Sequence, residues 1–184
     1  LSKKLLAEAG YADGFKMIIH GPNDRYINDA KVAEALAQMF NRIGIEASVE
    51  TMTKAVYFKR ASRGGPNESP EFSFMLLGWG AGSGEASSPL KALLHTYDKS
   101  KGMGAANRGR HSDPRVDELI QKALATVDSD ARGKLLAEAT EIAVGKNFGV
   151  IPVHYQQNTW ASKKGYKYTP RTDERTIVMD LKTQ

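Results

Sequence analysis

The sequence predicts an α/β fold with a mixed sheet flanked by helices, and three observations predict it. Ile45, Ala47 and Val49 alternate with Glu46, Ser48 and Glu50, the two-residue period of a strand with one buried face. Phe72 to Trp79 is a near-continuous apolar run of strand length, as expected of a strand covered on both faces. Apolar residues at helical spacing lie between and after these stretches, so strands and helices alternate and the sheet is expected to be largely parallel or mixed.

Taken in order, Leu1, Leu5 and Ala9 share a helical face that Gly10 ends. Lys3 and Lys4 sit in that helix's first turn, where the dipole disfavours positive charge, and no initiator Met precedes them. The opening is therefore expected to fall inside a longer protein. Phe15, Met17 and Ile19 read as a half-buried strand after the Asp13-Gly14 turn, broken by Gly21-Pro22-Asn23-Asp24. A helix from Asn28 or Asp29 presents Val32, Leu36, Met39 and Ile43 on one face and stops at Gly44. After the 45–50 strand, a helix from Thr53 carries Val56, Tyr57 and Ala61, and 63–70 is a Gly- and Pro-rich loop.

A short helix is expected at Ser88 with Pro89 in its first turn. Asp113-Pro114 opens the strongest helix, with Val116, Leu119, Ile120, Ala123, Leu124 and Val127 on one face. A further helix from 128–130 uses Leu135, Ala139, Ile142 and Ala143. Val150 to Tyr155, with Pro152, reads as an edge strand, and Ile177 to Leu181 as a last short one.

The composition narrows the function. The 184 residues include no cysteine, which removes disulfides, thiolate metal sites and cysteine nucleophiles together. The net charge of +5 is spread along the chain without a block of like charges, so nothing singles out nucleic acid as a partner. His20, His95, His111 and His154 form no pair at metal-ligand spacing. No metal or cofactor is expected.

In open α/β sheets ligands meet the loops at the carboxyl ends of strands. The loop after the 72–79 run is Gly-Trp-Gly-Ala-Gly-Ser-Gly-Glu, residues 78–85. Its glycines free the backbone to approach a ligand, but they lack the spacing of a nucleotide loop. Trp79 can stack on or cover a solute. Ser83 is outside a nucleophile elbow, since Ala81 and Glu85 flank it where glycines belong. Two readings follow. One is a binding module; the other is an α/β enzyme holding a phosphate-bearing substrate on the 78–85 loop, with Arg108 or Arg110 of the basic run 107–111 as an anion clamp. The enzyme reading lacks a general base near the loop.

Five segments, in this order and with these gaps, resemble the extracellular solute-binding proteins of ABC importers, in the family that carries oligopeptides, dipeptides and nickel. They are Lys4 to Tyr11, Phe40 to Ile45, Phe72 to Trp79, Asn107 with Ser112 to Ile120, and Ile151-Pro152-Val153. The resemblance implies a two-lobed receptor that captures a peptide-like or other small solute and delivers it to membrane permease subunits, without catalysis. It implies that residues 1–162 are the C-terminal ligand-binding lobe, of the type II periplasmic-binding-protein kind, with the N-terminal lobe absent. Residues 163–184 would be a tail returning toward that lobe. The location implied is the periplasm or the outer face of the membrane, with or without a tether. Expected ligand contacts are Trp79, Gly80, Ala81, Gly82, Ser83 and Glu85, with Tyr155 and Gln156 carried over from the resemblance. Peptide-binding relatives supply an Asp for the peptide amine where this chain has Gly82, and some supply an Arg where it has Leu76. Glu85 is the nearest acid that could replace the Asp.

Overall fold

A computed structural model describes every residue except Ser83, Thr172, Glu174 and Gln184. The chain divides into two compact units, Leu1–Val150 and Ile151–Gln184.

The first unit opens with α1 (Ser2–Glu8), ended by Gly10 in the left-handed conformation that glycine adopts without strain. Then β1 (Lys16–Pro22), α2 (Asp29–Arg42) and β2 (Glu46–Met52) form a βαβ unit, with the strands parallel and Ile19 opposite Val49. β1 runs through Gly21 and Pro22, where the sequence suggested a break. Pro22 has no N–H to give, but it lies at the strand's end, and Asn23 supplies the next donor to the Met52 carbonyl at 3.0 Å.

The face of α2 also differs from expectation. Ala33 and Ala37 are its buried apolar residues, with Leu36 and Phe40 beside them, while Met39 is exposed. Small residues on this face bring the helix close to Ile19 on the sheet.

α3 (Lys54–Arg63) buries Tyr57 and Ala61 against Phe72 and Met75. The 72–79 run is not a full strand: it makes a single parallel bridge, Met75 to His20, held by Phe74 O accepting from His20 N and by Leu76 N donating to His20 O. It is nevertheless covered on both faces as the apolar run implied. Phe74 and Leu76 pack on the α2 side, Phe72 and Met75 on the α3 side. Among the described residues, no strand lies on its outer edge.

A helical subcore follows. α4 (Ser87–Pro89) passes into a wide π-type turn, Leu90–Leu94. α5 (Pro114–Ala125) and α6 (Ser129–Thr140) pack against it, and α6 also continues as a π-type turn, Glu141–Lys146. Leu90, Leu94, Val116, Leu119, Ile120 and Ala139 are among its buried residues. Asp113 caps α5 by accepting from the Arg115 and Val116 amides, and Asp128 caps α6 through the Ala131 amide.

In the second unit, β3 (Tyr166–Tyr168) pairs antiparallel with β4 (Leu181–Thr183). The expected strand at 177–181 is instead a 3₁₀ turn, Val178–Asp180, leading into β4. Trp160 lies 6.1 Å from the Tyr168 ring and donates to Thr176 Oγ1 at 3.0 Å. The expected edge strand at 150–155 has no regular structure. Ile151 and Val153 are exposed, and no described strand pairs with them.

Candidate functional site

A cleft of about 320 Å³ opens where β1 and the 72–79 segment end, the carboxyl side of the parallel strands. Leu77, Gly78, Trp79 and Gly80 form one wall. Arg25 and Tyr26, from the loop after β1, form another, and Phe58 of α3 with Arg108 of the 107–111 loop complete it.

Each wall is held by local chemistry. Asp29 is buried at the start of α2; its Oδ2 accepts from the Arg25 and Tyr26 amides at 2.9 and 3.0 Å, and its Oδ1 from the Ala30 amide at 2.9 Å. That network fixes the loop presenting Arg25 and Tyr26. The Tyr26 hydroxyl donates to the Gly78 carbonyl at 3.2 Å, and a Cβ at position 78 would come within 2.6 Å of the Tyr26 ring. Glycine at 78 is thus required by the ring lying over it. Tyr57 donates to the Leu76 carbonyl at 2.6 Å, anchoring the segment from below, and burial pushes its phenol pKa well up.

Asn107 staples the opposite loop. Its side-chain amide donates to the His95 and His111 carbonyls, and its Oδ1 accepts from the His111 amide at 3.0 Å. Arg108 then lies over the Phe58 ring at 5.5 Å and donates from Nε to Ser62 Oγ at 3.1 Å. Its Nη1 is buried without a partner.

Of the residues singled out from the sequence, some line the cleft and others do not. Trp79, 46% exposed, and Gly80 line the cleft. Ala81 and Gly82 are exposed and do not line it. Ser83 lies outside the described residues. Glu85 is engaged elsewhere: Ser87 Oγ donates to its Oε1 at 2.7 Å and Arg132 Nε to its Oε2 at 2.9 Å. Those two bonds, the Ser87 one first, hold its carboxyl below the usual glutamate range. Tyr155, 99% exposed, and Gln156 belong to the second unit, where Gln156 donates to Asn158 Oδ1. Of the two alternative anion clamps, Arg108 lines the cleft, whereas Arg110 does not and stacks its guanidinium over Tyr97 at 4.4 Å.

Arg25, Tyr26 and Phe58 were not visible as site residues in the sequence. The available signal was topological: any residue just after a strand of a parallel sheet is a candidate, and Arg25-Tyr26 follows β1 directly.

The sequence model of the bacterial extracellular solute-binding proteins, family 5 Middle, matches residues 1–101. Heme-binding protein A of Haemophilus influenzae is 29% identical over 158 residues, 83% of this chain and 26% of that protein. Glutathione-binding protein GsiB of Salmonella paratyphi A is 28% identical over 184 residues, 98% of this chain and 35% of that protein. Haemophilus influenzae OppA, solved in complex with RPPGFSPFR, superposes with a TM-score of 0.76 at 25% identity, over 98% of this chain and 33% of that one. The chain spans about a quarter to a third of the length of these relatives.

Proposed function

The chain belongs to the bacterial extracellular solute-binding proteins of family 5, and from that membership we propose that it is part of the solute receptor of an ABC importer. Residues 1–162 are the larger part of the C-terminal lobe and 163–184 a tail directed toward a second lobe outside this chain. The receptor works in the periplasm or outside the membrane, tethered or free, and hands its solute to permease subunits. Closure of two lobes about a hinge would trap the solute against the Trp79 wall.

The observation that carries this reading is the coincidence of the family match with an aromatic-walled cleft at the carboxyl ends of parallel strands. A cleft that stays open to solvent suits a half-site, since good small-molecule sites bury most of the ligand. Trp79 and Gly80 are proposed as contacts, joined by Tyr26 and Phe58; Ala81 and Gly82 are proposed to meet solute on closure, Ser83 is kept as a proposed contact, and Tyr155 and Gln156 are retained as weaker contacts. Glu85 serves better as an anchor for Arg132 than as a solute contact.

The chain is proposed to catalyse nothing. Among the described residues the lining holds no carboxylate or histidine, and the relatives, named as binding proteins, lend the enzyme reading no support. The relatives carry names for heme, glutathione and peptide binding, so a peptide-like or other small solute fits equally well.

Native mass spectrometry of the full-length receptor, purified without denaturation, tests the reading. One solute molecule per receptor is expected, with Trp79→Ala weakening its retention. A receptor that retains nothing, in cells whose uptake is unchanged when its gene is deleted, overturns it.

A further inference from the structure

Four of the ten arginines of this chain pair with acids among the described residues. Arg60 pairs with Glu50 and Glu71, Arg115 with Glu118 and Glu138, Arg132 with Glu85, and Arg171 with Asp173 and Asp180. Arg108 is different. It is half-buried, its Nε is spent on a neutral hydroxyl, its Nη1 is buried without a partner, and no described carboxylate pairs with it. Burial pulls its pKa below the usual arginine value, as uncompensated positive charge does when removed from water.

Arg25 shares the cleft, and its guanidinium stands over the Tyr26 ring at 5.0 Å without an acid among the described residues. No lining residue among those described is acidic. The two aspartates of the neighbouring loop are committed to backbone: Asp29 to the Arg25, Tyr26 and Ala30 amides, Asp24 to the Lys54 amide at 2.6 Å. A cleft with two guanidinium groups, aromatic walls and no counter-charge is built for a negative ligand, because an unpaired charge is costly to bury.

Resting on the receptor reading above, we propose that this cleft selects solutes carrying an anionic group, a carboxylate or a phosphate, gripped by Arg108 with Arg25 while Trp79 and Tyr26 cover an adjoining apolar part. Leu76 and Gly82 agree with this selection. The 76–82 stretch offers no acid to hold an amine, so the dominant charge recognised is the solute's negative one. Asn107 fixes the loop that carries Arg108 and Ser62 holds its Nε, so the guanidinium lines the cleft without an acidic partner among the described residues.

Titration calorimetry on the full-length receptor tests this with three probes: N-acetyltyrosine, its neutral amide, and phenyl phosphate. At least one acid is expected to bind, with the amide about 10- to 100-fold weaker, the worth of a hydrogen bond to a charged group. The preferred acid separates carboxylate from phosphate selection. Arg108→Gln should lose a similar factor and Arg25→Gln a smaller one, whereas Arg110→Gln should bind as the natural protein does. Thermal melts confirm that each variant is folded, and Arg108→Lys, which keeps charge but not the fork, should fall between. Binding of neither acid, equal binding of acid and amide, or no loss in folded Arg108→Gln and Arg25→Gln overturns the proposal. If the receptor still retains its own solute by native mass spectrometry while these probes fail, the receptor reading stands and the anion selection alone falls.

Discussion

The helical subcore and the 72–79 segment both bury apolar side chains, yet one closes on itself and the other does not. Around α5 and α6, Val116, Leu119, Ile120 and Ala123 meet Leu90, Leu94, Leu136 and Ala139 with almost no exposure. Each helix satisfies its own backbone, so only side chains have to find partners. The 72–79 segment needs a neighbour for its backbone as well, finds β1 at one bridge, and ends in a half-exposed Trp79. Here the apolar helix faces make a core, whereas the apolar extended segment at the sheet edge makes the wall of a cleft.

The largest expected effect breaks the helical side of this contrast. Ile120 is 0% exposed in the subcore, so Ile120→Ala should cost about 2–5 kcal/mol through lost burial and the cavity left behind. Leu124, on the same helix but 45% exposed, should cost well under half as much on truncation. Urea midpoints of the two variants check this. Equal losses would mean that the subcore packs less selectively than its burial indicates.

The same contrast explains what was legible in the sequence. α5 was legible because its period, its Asp113 cap and Pro114 all lie within one stretch, although the run was expected to reach Val127 and the helix ends at Ala125. The βαβ unit was legible from alternation at 45–50 and periodicity at 29–42. The strands expected at 72–79 and 150–155 were misjudged because pairing is non-local: apolar sequence predicts burial, not a partner. The lining of the candidate cleft was half legible. Trp79 announced itself on its glycine loop, but Tyr26 and Arg25 reach it only because the parallel sheet ends both segments together. Glu85 looked available because its partner Arg132 is 47 residues away.

A smaller effect sharpens the sheet-edge side. Gly78→Ala would place a methyl 2.6 Å from the Tyr26 ring, so the ring must move and its bond to the Gly78 carbonyl lengthen or break. Overpacking of this kind costs about 1–3 kcal/mol. Because Tyr26 and Gly78 both wall the cleft, solute affinity should fall along with stability, whereas Ile120→Ala should lower stability with less effect on affinity when measured well below its melting temperature. Calorimetry beside thermal melts separates the two. A Gly78→Ala protein with unchanged affinity would show that the Tyr26 ring is not part of the wall.

The smallest expected effect is electrostatic and lies at the rim of the subcore. Asp113 accepts from Asn147 Nδ2 at 2.7 Å and from the Val116 and Arg115 amides, and these bonds, the Asn147 one first, hold its carboxyl below the usual aspartate range. A carboxylate with a lowered folded-state pKa stabilises the fold above its unfolded value, near 3.9, and loses that contribution as pH falls through its folded value. Asp113→Asn keeps a capping oxygen but has no charge to lose. The stability gap between the natural protein and Asp113→Asn should therefore be constant from pH 7 to about 5 and close as pH drops below about 4. Other lowered acids, Glu50 and Glu71 at Arg60 among them, titrate in both proteins and cancel in the difference. Urea midpoints for the pair at several pH values measure it. A gap that stays the same at pH 3 would mean that the α5 cap contributes through its geometry and not through the charge of Asp113.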